Sequence, residues 1–171
     1  MKRLFMISIF LIAVSSYCAS LTDIESAFKE SYKYEKDGNY FDAIDSMMTV
    51  YKENINSYAI NLRLGWLYYL NKNYSDSILH YEKAEKIIPD SIEAKLGICL
   101  PLLADKKYSK VVEICEMIIK VDKYNYYANI REATALRLQN KYSEARKILN
   151  KMLKLYPADS LINAESFLVP K

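Results

Sequence analysis

A 34-residue period constrains the fold of this chain more than any other feature of its sequence. Residues 58–91 contain two amphipathic runs of helix length, which are separated by a polar break at Asn71–Asn73 and closed by Pro89. The same layout returns every 34 residues, and a fixed period of this length is typical of stacked helical hairpins. The units are 24–57, 58–91, 92–125 and 126–159, followed by a partial fifth unit from Ser160.

A few recurring positions carry the register of the repeat. The seventeenth residue of every unit is aromatic: Tyr40, Tyr74, Tyr108 and Tyr142. The eighth residue is small: Ser31, Gly65, Cys99 and Ala133. Units two and four close on a proline, Pro89 and Pro157, where a helix must end because proline has no N–H to donate.

This layout resembles the tetratricopeptide repeat, and the resemblance covers residues 24–159 without an insertion or deletion. Unit three departs most from the family pattern, with Cys99 at the small position and Val111 at the alanine position. The resemblance implies an all-α, right-handed solenoid of four helix-turn-helix repeats. Unit two carries the fullest set of matching positions: Leu64, Gly65, Tyr68, Tyr74, Tyr81, Ala84 and Pro89.

Local signals refine this picture at the helix starts and at the carboxyl end. Ser75, Ser109 and Ser143 stand near the start of the second helices in units two to four, and we expect them to cap those helices. The tail over 160–171 has apolar residues at helical spacing. We expect it to form a capping helix over unit four, although a mobile tail that docks elsewhere remains an alternative.

The first twenty residues have the layout of a secretory signal peptide. Lys2 and Arg3 precede an apolar run over 4–14, and small or polar residues follow it. This run is too short to cross a bilayer, which needs about 20 residues, but it suits the apolar region of a secretory signal. We therefore expect residues 1–20 to be removed and residues 21–171 to form one exported, periplasmic domain.

Two interpretations of Cys18 remain open. In the first, Cys18 belongs to the removed segment: Ser16 with Cys18, or Cys18 with Ser20, are small enough to direct signal peptidase, and we favour the second pair, which places the cut after Ser20. Alternatively, Cys18 becomes the lipidated first residue of a bacterial lipoprotein, in which case the protein is anchored to a membrane. The bulky Tyr17 directly before it favours the first interpretation.

The charge balance argues against a nucleic-acid partner. The formal net charge is +3, and it falls to +1 without residues 1–20, which hold two basic side chains and no acid. A phosphate-binding surface normally shows a dense basic face. We therefore expect another protein or a peptide as the partner.

The resemblance implies that the first helix of each unit lines a concave groove. Trp66 and Tyr69 are its expected anchor pair, because aromatic side chains dominate interface energetics. An alternative is that superhelical curvature or the chain ends already cover this surface. The candidate partner-binding residues are Phe28, Tyr32, Leu62, Trp66, Tyr69, Leu96, Leu100, Leu103, Tyr127, Ile130 and Arg137.

Some members of the family hold a peptide carboxylate in a clamp of lysine, asparagine and arginine. That clamp is absent here, since the corresponding positions hold Phe28, Tyr32, Glu93 and Gly97. The isolated Arg63 and Arg137 are expected to be solvated. A receptor for carboxylate-terminated tails is therefore not expected.

Few residues suggest chemistry. Cys99 and Cys115 fall on the two helices of one hairpin, so their side chains could meet, either as a disulfide or as two packed thiols. The single histidine, His80, is expected on the solvent face of a second helix. The chain has no glycine-rich phosphate loop and no nucleophile elbow, so we expect no enzyme activity, no cofactor and no metal site.

These features together predict an exported scaffold that holds another protein, as an adaptor in a bacterial envelope assembly. The alternative is a carrier of a small apolar or aromatic ligand, accessory to transport. A cavity closed between Trp66, Leu100 and the tail would favour the carrier. A shallow open groove would favour the scaffold.

Export and processing can be tested on the protein made with its own amino terminus. We expect the mature chain to begin at Leu21 without modification, as read by amino-terminal sequencing and intact mass. We expect Cys18→Ser to be exported and cleaved like the wild type. A lipid mass on Cys18, or a block of processing in Cys18→Ser, would show that the lipoprotein interpretation is the correct one.

Overall fold

The computed structural model describes residues 21–170, and this part of the chain is an all-α solenoid of helical hairpins, as predicted. From α2 onward each helix packs against the next along the chain, and α5 also contacts the first helices on either side of it, α3 and α7. Within residues 21–170, none of the helices has both the length and the apolar character needed to cross a membrane. The predicted signal peptide and Cys18 lie outside the described residues. The helices are α1 (21–36), α2 (Tyr40–Tyr51), α3 (Tyr58–Leu70), α4 (Tyr74–Ile87), α5 (Ile92–Ala104), α6 (Tyr108–Val121), α7 (Tyr126–Leu138), α8 (Tyr142–Leu155) and α9 (Ser160–Phe167).

The tight turn inside each hairpin contains one residue with left-handed backbone geometry. Its φ angle is 73° at Gly38, 61° at Lys72, 60° at Lys106 and 62° at Asn140. A residue in this conformation directly after a helix lets the chain reverse direction while its N–H groups satisfy the last carbonyls of the helix. The turns therefore have the same geometry in all four hairpins, although their sequences differ.

The predicted serine caps are wrong. The second helices of the later units begin at Tyr74, Tyr108 and Tyr142, so the serines lie inside the first turn. Asn39 and Asn73 cap α2 and α4 instead, by accepting from the backbone N–H three residues further on. The helices α6 and α8 follow a lysine and have no side-chain cap.

The turn between successive units is held by the fourth residue of the unit that follows it. The side-chain amide of Asn61 donates to the carbonyls of Ile55 and Ser57 at 2.9 and 2.8 Å. Asn129 and Asn163 make the equivalent pairs of bonds in units four and five. In unit three, the ammonium group of Lys95 donates to the carbonyl of Pro89. This recurring bond fixes each hairpin to the previous one, and our sequence analysis missed it.

The ring of Tyr81 on α4 fills the space beside α3 and α5. A Cβ atom added at Gly65 would lie 2.8 Å from the ring carbon Cγ, and one added at Gly97 would overlap the ring edge more severely. Tyr81 is only 5% exposed. Two glycines are therefore required here because a buried ring occupies the space that a side chain would need.

The tail forms the predicted cap. In α9 and just after it, Ile162 and Val169 are buried in the same apolar cluster as Leu149 and Met152 of α8. The guanidinium of Arg137 on α7 donates to both carboxylate oxygens of Glu165 at 2.9 and 3.3 Å. The open end of unit four is thus closed by both apolar and ionic contacts.

The packing at Tyr81 can be tested with Gly97→Ala. We expect the free energy of unfolding to fall by about 1–3 kcal/mol, because overpacking a filled core costs more than the helix gains by losing a glycine. Urea denaturation followed by circular dichroism measures the change. In a Tyr81→Leu background, which leaves room for the methyl group, the same substitution should be neutral or stabilising. Equal losses in the two backgrounds would contradict this account.

Candidate functional site

The predicted groove residues differ widely in exposure. Tyr32 and Tyr127 are 57% and 56% exposed, and these two side chains are available to a partner in the free protein. The remaining apolar candidates keep part of their surface open while they pack against the core: Phe28, Leu62, Trp66, Tyr69, Leu96, Leu100 and Leu103.

Two of the predicted residues have other roles. Ile130 is 5% exposed and packs in the carboxyl-terminal core cluster, so we correct its assignment from groove contact to core residue. Arg137 is not the solvated side chain expected from the sequence, because its guanidinium is engaged by Glu165. It holds the capping helix in place.

A pocket of about 720 Å³ lies between α1 and α3, within the usual volume range of small-ligand sites. It brings together Phe28, Tyr32, Leu62 and Trp66, four of the predicted groove residues. Leu100 and the tail residues do not contribute to its wall. The full lining is Phe28, Tyr32, Glu35, Lys36, Ala59, Leu62, Arg63, Trp66 and Glu93.

The carboxylate of Glu35 organises one wall of this pocket. Its Oε1 accepts from the indole Nε1 of Trp66 at 2.7 Å, and its Oε2 accepts from Nη1 of Arg63. Charge-assisted bonds of this kind are strong and directional. The single tryptophan of the chain is therefore held in a defined orientation at the pocket.

Arg63 is the most unexpected member of the site. Its side chain is 6% exposed, not solvated as expected. Its Nε donates to Oγ of Ser31 at 3.0 Å, and its guanidinium carbon lies 3.9 Å from the ring centroid of Tyr32. Its Nη2 is buried and has no hydrogen-bond partner among the described residues.

Aromatic rings continue from the pocket along α3. The ring centroids of Trp66 and Tyr69 are 5.6 Å apart, so the predicted anchor pair is in contact. Tyr69 in turn lies 6.2 Å from Tyr74, at the start of α4. These rings form a continuous aromatic surface beside the pocket.

The expectation for His80 is wrong. It is 5% exposed, stacks on Tyr68 at 5.3 Å and meets Tyr51 edge-on at 5.1 Å. Because the amide nitrogen of Asn61 already donates to two carbonyls, the side-chain oxygen of Asn61 must accept from Nδ1 of His80, which lies 3.0 Å away. Nδ1 of the imidazole therefore carries a proton. Burial, aided by the positive charge of Lys83, lowers the pKa of His80 to about 4.

Cys99 and Cys115 meet in the core of the third hairpin as two free thiols. Their sulfur atoms are 3.9 Å apart, well beyond the length of a disulfide bond, about 2.05 Å. Hydrogen bonding to Cys99, together with burial, raises the pKa of Cys115. This thiol is therefore un-ionised at neutral pH, a state that makes it a poor nucleophile.

Glu132 is a further titratable group with a shifted pKa. Burial, with the nearby charge of Glu116, raises the pKa of the half-buried Glu132 to about 7, but Glu132 does not line the pocket that contains Trp66. Among residues 21–170, no three or more histidine, cysteine or acidic side chains are arranged to hold a metal ion.

Comparison with known proteins identifies the repeat. Residues 127–159 match the family of the tetratricopeptide repeat. Sperm-associated antigen 1 of Mus musculus is 29% identical over 93 residues, which is 52% of this chain. The chain spans only 10% of the length of that relative.

Solved structures share the fold at low sequence identity. MamA of Desulfovibrio magneticus RS-1 superposes with a TM-score of 0.75 at 14% identity, covering 85% of this chain and 83% of that one. A MamA structure from AMB-1 gives 0.70 at 18% identity and covers 88% and 81%. An O-GlcNAc transferase of Thermobaculum terrenum gives 0.67 at 12% identity, covering 80% of this chain but only 27% of that one.

The buried imidazole of His80 gives a prediction for the pH dependence of stability. An unfolded histidine takes up a proton near pH 6.5, whereas the folded pKa is about 4. The unfolded state therefore binds more protons between these values, and the free energy of unfolding should fall by up to about 3 kcal/mol as the pH drops from 6.5 to 4. Urea titrations across this range measure the fall.

The matched control is His80→Gln, whose side-chain amide can still donate to Asn61 but does not titrate. We expect this variant to lose the part of the slope that lies between pH 6.5 and pH 4. Identical slopes for the variant and the wild type would show that His80 is not the group responsible.

Proposed function

We propose that this chain, which belongs to the tetratricopeptide-repeat proteins, is an interaction scaffold that binds another protein or a peptide on the concave face of its first helices. The observation that carries this proposal is the aromatic pocket between α1 and α3, where Trp66 is oriented by Glu35 and remains partly exposed. Ordered aromatic side chains that keep an open face are the usual anchors of protein interfaces.

The exposed groove side chains support the same role further along the solenoid. Tyr127 on α7 is more than half exposed, and its ring lies 5.5 Å from the guanidinium of Arg131. Tyrosine and arginine are enriched in interfaces because they combine a large contact area with hydrogen-bonding groups. A partner that extends from Trp66 to Tyr127 would contact several first helices, as expected of a scaffold.

The cellular setting of this scaffold is part of the proposal. The layout of residues 1–20 supports export to the periplasm and a role as an adaptor in a bacterial envelope assembly, with a membrane anchor only if Cys18 is lipidated. We propose that the role is not catalytic. The buried, un-ionised thiol of Cys115 and the neutral, packed His80 support this view, since both are engaged in the core.

The alternative of a small-ligand carrier receives less support. A carrier is expected to have a closed cavity between Trp66, Leu100 and the tail. The pocket that contains Trp66 is instead bordered by α1 and α3, with Glu93 of α5 at one side. The partly exposed rings of Tyr69 and Tyr74 extend the aromatic surface beyond the pocket, which favours a partner that is larger than the pocket itself.

The proposal can be tested by placing a photo-crosslinking amino acid at Tyr127 and, as a control, at Phe41. Phe41 is 72% exposed on α2, a second helix, so it is aromatic and accessible but lies off the concave face. In envelope extracts we expect a discrete adduct from position 127 and not from position 41. Adducts from both positions or from neither would contradict the proposal.

The same extracts test the anchor. Trp66→Ala should weaken binding of the partner by about 2 kcal/mol, or roughly 30-fold in Kd, as is typical when an aromatic hot-spot residue is truncated. Phe41→Ala should leave the binding unchanged. Circular dichroism of each variant separates lost binding from lost folding.

A further inference from the structure

One of the three guanidinium nitrogen atoms of Arg63 has no hydrogen-bond acceptor within residues 21–170. Nε donates to Ser31 and Nη1 to Glu35, while Nη2 has no partner among the described residues although the side chain is 94% shielded from solvent. Buried donors in folded proteins almost always have an acceptor, so an orphan of this kind calls for an explanation. Arg63 lines the pocket between α1 and α3, so a bound molecule could supply the missing acceptor.

The groups that accept hydrogen bonds from this guanidinium both lie on α1. Glu35 uses one carboxylate oxygen for Trp66 and the other for Nη1 of Arg63. The hydroxyl of Ser31 accepts from Nε of Arg63 and donates to the carbonyl of Phe28 at 2.8 Å. Within the described part of the chain, Nη2 thus remains without a partner although the other two guanidinium nitrogen atoms are engaged by α1.

The charges around the pocket indicate which kind of acceptor fits. Lys36 and Arg63 contribute two positive charges to the lining, and Glu35 and Glu93 contribute two negative ones. A carboxylate entering this balanced site would bring an uncompensated charge, and burying such a charge is costly. A neutral carbonyl oxygen satisfies the donor without that cost.

The rest of the lining is suited to an apolar side chain. Phe28, Leu62 and Trp66 each leave part of their surface open in the pocket. Tyr32 covers one face of the Arg63 guanidinium and is 57% exposed, so its ring can turn outward into solvent with the loss of this cation–π contact. An acceptor could then approach Nη2 while an adjacent side chain contacts the three apolar residues.

We propose that this pocket binds a peptide segment of the partner protein, with an aromatic side chain against Trp66 and a neutral main-chain carbonyl that accepts a hydrogen bond from Nη2 of Arg63. This inference rests on the proposed function, because it names the chemistry of what the concave face recognises. An aromatic side chain beside a main-chain carbonyl is the combination that an internal peptide segment presents. It differs from recognition of a carboxylate terminus, which requires a net positive site.

Trp66 provides a direct reporter, since it is the only tryptophan in the chain. Its indole N–H gives a single cross-peak in a ¹H–¹⁵N spectrum of the labelled protein. Four probes are titrated: N-acetyl-phenylalanine methylamide, propylbenzene, N-acetyl-phenylalanine with a free carboxylate, and a capped Ala-Phe-Ala tripeptide. The first three share the aromatic ring and differ in the acceptor, and the fourth extends the main chain.

We expect the methylamide to shift the indole cross-peak and to bind about tenfold more tightly than propylbenzene, as a hydrogen bond to a charged donor implies. The free carboxylate should bind more weakly than the methylamide, and the tripeptide more tightly. Equal binding of the methylamide and propylbenzene would overturn the role of Nη2. Tighter binding of the free carboxylate than of the methylamide would overturn the neutral acceptor. A tripeptide that binds no more tightly than the methylamide would overturn the assignment to a peptide.

Matched variants locate the binding. Ala59→Phe should fill the pocket and abolish the shift, whereas Ala104→Phe changes an equally small, exposed residue at the end of α5 and should leave it intact. Arg63→Lys keeps the positive charge beside Glu35 but removes the forked donors, so the methylamide should then bind no better than propylbenzene. If Arg63→Lys does not fold, the comparison of probes on the wild type and Ala59→Phe still decides the question.

Failure of this inference and failure of the proposed function give different results. If the probes do not shift the cross-peak while the crosslink from position 127 persists, the concave face binds a partner by other chemistry and only the pocket assignment is wrong. If the crosslink is also absent, the scaffold proposal itself is wrong.

Discussion

The close packing of Tyr81 beside two glycines fixes how the second and third hairpins meet. The ring lies where the side chains of residues 65 and 97 would be, so α3 and α5 share one buried aromatic group from α4. Residue 65 is the small position of the repeat, but residue 97 is the sixth position, which holds Arg63 and Arg131 in the neighbouring units. Each of these arginines donates to the previous first helix: Arg63 to Ser31 of α1, and Arg131 to the carbonyl of Leu96 on α5. Unit three has a glycine at this position instead.

Much of this architecture could be predicted from the sequence because a period reports geometry directly. Each hairpin has to bury its apolar face on the next, so equal spacing of aromatic and small residues indicates helices of equal length stacked in phase. The predicted start of α4 was two residues too late. Ser75, which was predicted to be the cap, therefore lies in the first turn of the helix. The asparagine that holds the inter-unit turn recurs at the fourth position of units two, four and five. Lys95 replaces it in unit three, so the pattern is incomplete and was not recognised from the sequence.

The polar part of the candidate site could not be predicted in the same way. Arg63 and His80 were both expected in solvent, since a charged or polar residue on an amphipathic helix usually faces water. Their burial depends on partners that a single helix does not contain: Arg63 donates to Ser31 and Glu35 of α1, and His80 donates to Asn61 of α3. Apolar groove positions follow from helical spacing, whereas polar networks depend on the rotation of one hairpin against the next.

The two ends of the solenoid contain related ion pairs whose carboxylates have different further partners. The twelfth residue of one unit pairs with the sixth residue of the next, as Glu35 with Arg63 between α1 and α3, and with reversed charges as Arg137 with Glu165 between α7 and α9. At the carboxyl end, both oxygens of Glu165 accept from the one arginine. At the amino end, one oxygen of Glu35 accepts from the indole of Trp66 and the other accepts from Arg63. Trp66 and Arg63 therefore share one carboxylate, which holds the aromatic surface and the unpartnered Nη2 side by side.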